Sequence, residues 1–300
     1  MNKNLLSCLI IAMALIGCIS PSMPPELSQP IFEASSDPSA PPAGHSNHGE
    51  ALNKGPRQAA YLMGNTGNVS FPITTRSSEA QAFFNQGVGQ LHGFWYLEAE
   101  RSFRQVLKLH PEHPMAYWGI AMANANNRTR SQTIIKKAVS GRSKVSNREQ
   151  IWIDSMAAFQ NETDSKKRKA ARLKASQSIS KKYPEDLEAQ ALLALAMYNN
   201  VKAKKNYEEV EKLIKKILSI NPLHPCHHYR IHLWDYKEPK RAVVSVGLCG
   251  QSAPDIAHMW HMTGHTLSRL KRYHDAAWQM EASARVDHKH QLRDRRMPDQ

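Results

Sequence analysis

The stretch "AFFNQGVGQLHGFWYLEAERSFRQVLKLHPEHPMAYWGIAMAN", residues 82–124, decides the fold of this chain. Gly87 is followed twelve positions later by Ala99, then four positions on by Phe103 and eight further by Pro111. Apolar residues recur at intervals of three and four, which predicts helices rather than strands. The small residues would let two helices approach closely, with Phe103 wedged between them and Pro111 ending the second helix.

This spacing resembles the tetratricopeptide repeat, a helix–turn–helix unit that stacks with its neighbours into a superhelix. A second match lies near the end of the chain, where twelve positions again separate Gly264 from Ala276. Trp260 stands at the expected aromatic position, and Met280 replaces the second aromatic residue. His288 occupies the position of the proline, so the end of that helix is less strongly specified.

A third and weaker unit covers residues 187–222. The sequence "NPLHP" at 221–225 echoes "HPEHP" at 110–114, which is a further sign of repetition. Both motifs combine proline with short polar residues, and such clusters end helices and form turns. The repeat therefore extends through the middle of the chain, although its sequence has diverged.

Residues 128–182 are polar and lose the register of the repeat. "SNRE" at 146–149 fits a capping box that opens a helix through Trp152 and Phe159, so we expect a divergent helical pair here. The predicted fold is all-α: about ten helices, in tetratricopeptide-like helix–turn–helix repeats, stacked as a right-handed superhelix over residues 60–300. Terminal repeats need a polar outer face, and because no capping helix follows, this α-solenoid could be incomplete at its C-terminus.

The N-terminal region predicts export. Residues 1–18 have a short apolar run over residues 5–16, which is typical of a signal peptide and too short to span a bilayer. Leu15-Ile16-Gly17-Cys18 resembles the bacterial lipobox, which implies cleavage and acylation at Cys18. The Pro- and Ser-rich residues 19–59 read as a disordered tether. We therefore expect a protein anchored by lipid to the cell envelope, facing the periplasm or held at the outer membrane.

The formal net charge is +14, and the excess is concentrated in residues 166–182 and 202–216. The favoured interpretation is a pair of solvated helix faces. Contact with anionic lipid or an acidic partner is the alternative. Nucleic acid is not expected as a partner for an exported protein.

Four cysteines are present, and two of them, Cys226 and Cys249, lie in the folded region. Disulfides persist in exported proteins, so these two could pair if their Cα atoms come within reach. Cys226 could instead provide a soft metal ligand, because thiolates suit such ions.

Histidines crowd two neighbouring stretches, "HPCHHYRIHLW" at 224–234 and "AHMWHMTGH" at 257–265. On helices, the first places two histidines four positions apart, and the second places three on one face, which the repeat phasing assigns to a concave groove. Side chains on adjacent turns lie close enough to share one metal ion, and imidazole suits Zn, Cu, Ni or Fe. The candidate ligands are His228, His232, His258, His261, His265 and Asp235.

Residues 222–288 also resemble a set of bacterial exported tetratricopeptide proteins with a histidine-rich core. The core reads His-Tyr-x-x-His, followed by His-x-x-His-Met-x-x-His, and matches residues 228–232 and 258–265. The resemblance implies the repeat fold and export, and it implies no particular chemistry.

Two functions remain open. The first is a non-enzymatic, lipid-anchored scaffold that binds a protein or peptide in its concave groove, with the histidines serving packing or contact. The second is a transition-metal-binding protein or metalloenzyme that uses the clustered histidines. No phosphate-binding loop, nucleophile elbow or His-Glu-x-x-His motif is present. Asp287, His288, His290 and Asp294 read as a charged helix end.

Overall fold

The computed structural model describes residues 59–201 and 204–294. The predicted signal peptide, the acylation site Cys18 and all but the last residue of the tether lie outside these ranges. Within them the chain forms helices and no strand, so the predicted all-α fold is confirmed. No helix in the described ranges is both long and apolar enough to cross a membrane.

Twelve α-helices occur in the described residues, where the sequence predicted about ten. They are α1 (Ser78–His92), α2 (Tyr96–Leu109), α3 (Pro114–Ala123), α4 (Arg128–Ser140), α5 (Asn147–Asn161), α6 (Ser165–Lys182), α7 (Leu187–Tyr198), α8 (Lys204–Ile220), α9 (His227–Trp234), α10 (Val243–Ser252), α11 (Ala257–Arg269) and α12 (Tyr273–Asp294). Each odd-numbered helix packs against the helix that follows it. The odd-numbered helices also contact one another, α1 with α3, α3 with α5, α7 with α9 and α9 with α11. The result is a stack of helix pairs.

The predicted wedge between paired helices is present in the first pair. A Cβ atom at Gly87 would lie 2.6 Å from the ring of Phe103, and both Phe103 and Ala99 are fully buried. The last pair repeats this arrangement, because a Cβ atom at Gly264 would lie 2.6 Å from the methyl group of Met280. A larger side chain at Gly87 would collide with the Phe103 ring, and one at Gly264 would displace the Met280 methyl group.

The two pairs end differently. Helix α2 stops at Leu109, just before Pro111, as predicted. Helix α12 continues past His288 for a total of 22 residues, because no proline interrupts it. The prediction of a charged helix end is wrong for His290, which is buried with its ring 4.6 Å from that of Trp95.

The divergent middle pair is α5 with α6. Ser146 and Glu149 form the predicted capping box, in which the serine hydroxyl accepts from the backbone of Glu149 and the glutamate accepts from the backbone of Ser146. Trp152 and Phe159 both lie buried along α5. Local capping therefore marked this helix even though the repeat pattern had faded.

Residues 59–77 precede α1 without helical structure and are called the N-terminal strap here. Phe71, in this strap, is fully buried, and its ring lies 5.3 to 5.6 Å from those of Phe84, Trp118 and Trp152. The repeat pattern did not predict this segment. It supplies an aromatic side chain to the core that the first three helix pairs share.

The strap also contacts the far end of the stack. The side-chain amide of Asn221 donates to the backbone carbonyl of Asn68 at 2.9 Å. The backbone N–H of Asp255 donates to the carbonyl of Asn65 at 3.1 Å. The strap therefore links the first helix pair to the loops that precede α9 and α11.

Cys226 and Cys249 are both free thiols in buried positions, so the disulfide considered from the sequence is not present. Burial raises the pKa of each thiol well above its ordinary value. Both cysteines therefore remain protonated at neutral pH and pack as small apolar residues.

Candidate metal centre

Helices α9 and α11 bring His228, His232 and His258 together, and these form the three-histidine cluster. One ring nitrogen from each lies within 4.8 Å of the other two. His228 and His232 stand one turn apart on α9, and His258 faces them from the first turn of α11. His228 is fully buried and the other two are half-buried, so an ion could enter from the side of His232 and His258.

The rings are oriented as metal ligands would be. The Nδ1–H of His228 donates to the backbone carbonyl of His92 at 2.7 Å, so Nε2 is the nitrogen of this ring that can accept a hydrogen bond or bind an ion. The Nε2 atom of His232 lies 3.0 Å from that of His228 and donates its proton to it. Two imidazoles on a tetrahedral ion would have nitrogens about 3.3 Å apart, given metal–nitrogen bonds of about 2.0–2.1 Å. To bind one ion, the facing Nε2 atoms of His228 and His232 would have to separate by about 0.3 Å. The proton on Nε2 of His232 would also have to move to Nδ1 of the same ring.

Burial favours the neutral forms of His228 and His232. Burial, assisted by the neighbouring His232 and His258, holds the pKa of His228 well below its ordinary value. Burial also lowers the pKa of His232, against the opposing effect of Asp235. A neutral imidazole is the form that binds a metal, so no proton has to be expelled at neutral pH.

His261 and His265 extend the histidine array without joining the cluster. Their Nε2 atoms lie 2.7 Å apart, so one ring donates to the other. The ring of His261 stacks on that of His258 with centroids 5.7 Å apart. The five histidines thus form a continuous row, as their spacing predicted, but only three place nitrogens around one point.

Asp235, which the sequence also offered as a ligand, is not among the residues whose ligand atoms converge. One of its oxygens accepts from the hydroxyl of Thr266 at 2.9 Å, and the other accepts from Arg269 at 2.9 Å. Its carboxylate instead joins α9 to α11. Met259 and Met262 are buried in the apolar core, so the two sulfurs are not a basis for choosing Cu(I).

Phe94, in the turn between α1 and α2, covers the three-histidine cluster. Its ring centroid lies 4.4 Å from that of His228, 5.5 Å from His232 and 6.3 Å from His258. The residue has φ 56°, a left-handed conformation that a phenylalanine rarely adopts. No local sequence pattern links the turn between α1 and α2 to α9 and α11, so Phe94 could not be predicted as a neighbour of these histidines.

A second polar cluster, here called the buried His–Glu–His cluster, consists of His92, Glu188 and His224. Its candidate ligand atoms also lie within 4.8 Å of one another, and all three residues are buried. The Nε2–H of His92 donates to Glu188 at 2.7 Å. The Nε2–H of His224 donates to the other carboxylate oxygen at 3.3 Å. Sequence reasoning missed it because α1, α7 and the loop before α9 are distant along the chain.

Every ring nitrogen of the buried cluster is already hydrogen-bonded. The Tyr229 hydroxyl donates to Nδ1 of His92 at 2.6 Å, and the backbone N–H of Cys226 donates to Nδ1 of His224 at 3.0 Å. Burial lowers the pKa of His92 despite the carboxylate beside it. Burial alone would raise the pKa of Glu188, but His224 and His92 together hold it well below its ordinary value. The cluster is a buried carboxylate that accepts hydrogen bonds from two imidazole rings, and we interpret it as a structural network.

The polar residues of the His-Tyr-x-x-His motif each have a defined contact. His228 and His232 belong to the three-histidine cluster, and Tyr229 donates a hydrogen bond to the buried cluster. Arg230 donates three hydrogen bonds to Glu211 at 2.8 to 3.1 Å, which ties α9 to α8. The motif therefore positions two polar clusters and one ion pair from a single helix of eight residues.

Fold and site together define an all-α protein of stacked helix pairs with a three-imidazole cluster between two of its helices. No family model matches the chain, and no curated protein matches it. Among solved structures, a MamA double mutant (MamA RS-1 ArsTM) is similar over 72% of this chain and 98% of its own. The identity is 15% and the TM-score 0.24, a likeness too weak to carry an argument.

Proposed function

We propose that this helical-repeat protein binds a transition-metal ion through His228, His232 and His258. The observation that carries the proposal is the convergence of three imidazole nitrogens within 4.8 Å. Two of the ligands come from one helix and the third from the next odd-numbered helix, so the stacking of pairs builds the site. The hydrogen bond from His228 to the His92 carbonyl supports it, because such contacts orient metal-binding histidines.

The donor set favours ions that accept nitrogen ligands. Three neutral imidazoles suit Zn, Cu, Ni or Fe, and the absence of a carboxylate among them disfavours Mg and Ca. A tetrahedral ion would keep one further position, which a small molecule or a solvent molecule could fill. That arrangement is shared by metal carriers and metalloenzymes, and an enzymatic role is not part of the proposal.

We place the protein at the cell envelope, exported and held by lipid on Cys18. The support is the sequence pattern Leu15-Ile16-Gly17-Cys18 after a short apolar run. Two or three acyl chains would anchor the chain firmly, since each buried methylene contributes about 0.8 kcal/mol. Substitution Cys18→Ser should release the protein from the membrane fraction, and a variant that stays membrane-bound would contradict the anchor.

The decisive experiment is metal content. The full chain, purified in detergent without a histidine tag, would be incubated with Zn²⁺, Co²⁺, Ni²⁺ or Cu²⁺ and analysed by elemental mass spectrometry. We expect about one ion per chain for at least one metal, with binding lost in His232→Ala.

The matched control is His265→Ala. His265 belongs to the same row of histidines but lies outside the three-histidine cluster, so its loss should leave the stoichiometry unchanged. Equal loss in both variants would replace the three-residue site with a diffuse array. No binding of any ion would overturn the proposal.

A second candidate function is that of a scaffold for a protein partner. The sequence placed such a partner in the concave groove, whose histidines the Phe94 ring now covers in part. The observation that favours a partner elsewhere is the exposure of two aromatic side chains on α12, Tyr273 at 64% and Trp278 at 61%. Cross-linking would be compared between wild type, the double variant Tyr273→Ala/Trp278→Ala and the control Tyr236→Ala. We expect a partner that cross-links to wild type and to the control but not to the double variant.

A further inference from the structure

His261 and His265 form a second pair of facing imidazoles, here called the α11 histidine pair. Their Nε2 atoms lie 2.7 Å apart, and both rings are half-buried. The two positions are one helical turn apart, a spacing at which two side chains can share one ion. A shared tetrahedral ion would need these nitrogens about 0.6 Å farther apart than they lie here. The pair can therefore hold an ion after a modest movement of its two side chains.

Each member of the α11 histidine pair has a neighbour in the three-histidine cluster. The ring of His261 stacks on that of His258, with centroids 5.7 Å apart and planes 23° apart. Burial lowers the pKa of His232, and the neighbouring His265 lowers it further, so these two rings lie within electrostatic reach of each other. The pair therefore adjoins the cluster at both of the cluster's half-buried members.

Other side chains cover the three-histidine cluster away from the pair. His228 is fully buried on α9, and the Phe94 ring lies over it from the turn between α1 and α2, with centroids 4.4 Å apart. Tyr198, at the end of α7, has its ring centroid 6.2 Å from that of His232. Imidazoles continue away from the cluster along α11, on the side where His232 and His258 are half-buried. An ion that follows nitrogen ligands would approach the cluster from that side.

A partly buried metal site presents a kinetic barrier, because an ion must lose its water ligands before three nitrogens can replace them. Two imidazoles bind an ion more weakly than three, so an ion at the α11 histidine pair exchanges quickly. It is nevertheless held beside the cluster at a high effective concentration, which makes its transfer an intramolecular step. A two-ligand site in this position would speed loading without retaining the ion.

We propose that the α11 histidine pair is the entry and exit site through which a metal ion reaches the three-histidine cluster. The ion binds the pair first, with water completing its coordination, and the Nε2 proton that the pair shares moves to Nδ1 of its ring. The ion then passes to His232 and His258 as one imidazole replaces another, with no change in its oxidation state. This inference rests on the proposed metal site and assigns a role to the two histidines that the site does not use.

The test measures rates as well as affinity, with Co²⁺ as the probe because its visible absorption reports tetrahedral coordination. The full chain in detergent is mixed with Co²⁺ by stopped flow, and release is followed after the addition of excess EDTA. We expect loading and release to be at least about fivefold slower in His265→Ala than in wild type, with an unchanged dissociation constant. An entry site changes both rates equally because the free and bound states stay the same, whereas the loss of a ligand weakens the affinity.

His274→Ala is the matched control, since it removes an exposed histidine of α12 and should keep the wild-type rates. His261→Ala should repeat the effect of His265→Ala, and it decides the question if circular dichroism shows that His265→Ala is not folded. Wild-type rates in a folded variant of the pair would overturn the entry site and leave the metal site standing. A weaker dissociation constant would also overturn it, because that histidine would then be a ligand. If wild type binds no ion, the metal site and the entry site are both overturned.

Discussion

The buried His–Glu–His cluster and the three-histidine cluster contain similar atoms but differ in what those atoms already do. In the first, Glu188 accepts from both His92 and His224, and each remaining ring nitrogen accepts a further hydrogen bond. In the second, the three candidate ligands are all imidazoles, and His228 and His232 share one proton between facing nitrogens. Proximity of ligand atoms is common to both clusters. What distinguishes the buried cluster is that Glu188, Tyr229 and the Cys226 backbone already engage every ring nitrogen.

The largest effect should come from Glu188→Gln. The glutamine amide carries no charge. Its NH2 group would also point a donor at an N–H of His92 or His224, both of which donate to Glu188 in the wild type. We expect the free energy of unfolding to fall by about 3 kcal/mol, because buried donors lose a charged acceptor. Urea denaturation of the metal-free protein measures it, with exposed Glu185→Gln as the control. If the folded variant binds metal as wild type does, the two clusters are separate. Loss of metal binding without loss of stability would indicate that the buried cluster binds the metal and that the three-histidine cluster does not.

Metal binding should stabilise the fold by a comparable amount. An ion present at one hundred times its dissociation constant raises the free energy of unfolding by about 2.7 kcal/mol if it binds only the folded state. Urea denaturation with and without the ion should show this increase in wild type and in His265→Ala. The increase should vanish in His232→Ala. An increase that persists there would assign the ion to other residues, of which the buried cluster would be the first.

The buried cluster should also make the metal-free protein sensitive to acid. The pKa of Glu188 is held well below its ordinary value of 4.5, so the unfolded chain takes up this proton first as the pH falls. Stability that is fully present above pH 4.5 is then lost on further acidification, by up to about 1.4 kcal/mol per pH unit. Urea denaturation at a series of pH values should show this slope in wild type. Glu188→Gln should lack that component, and an unchanged slope would assign it to other carboxyl groups.

The smallest expected effect is that of Tyr229→Phe. The variant keeps the buried ring and leaves Nδ1 of His92 without its donor, which should lower the free energy of unfolding by about 1 kcal/mol. Tyr207→Phe is the matched control, a half-buried tyrosine that packs on Trp234. Metal affinity should not change in either variant. A changed affinity in Tyr229→Phe would mean that the network sets the position of the His92 carbonyl.

The sequence predicted what depends on local pattern. The spacing of Gly87 and Phe103 gave the close helix pair, and the capping box at Ser146 gave α5. The i, i+4 spacing of His228 and His232 correctly placed these two candidate ligands one turn apart on one helix. The sequence could not show that His258, rather than His261 or His265, lies beside His228 and His232, because that depends on the angle between α9 and α11.

The remaining features depend on contacts between distant parts of the chain. Phe94 and His92 meet α9 only because the turn between α1 and α2 lies beside the fifth helix pair. A helical repeat predicts contacts between neighbours, so these side chains carried no signal. One hint was present, because Glu188 is a charged residue at the start of the otherwise apolar α7.

The N-terminal strap changes how this stack should fold. An ordinary helical-repeat array is nearly one-dimensional, and its repeats can form from any starting point and add one at a time. Here Tyr61 contacts His290, 229 positions away, and Asn65 lies 190 positions from its partner Asp255. Such distant contacts raise the contact order, and closing large loops slows folding compared with a simple repeat array. The first and last helix pairs become mutually dependent, and the buried His–Glu–His cluster forms only when α1 has met α7 and the loop before α9.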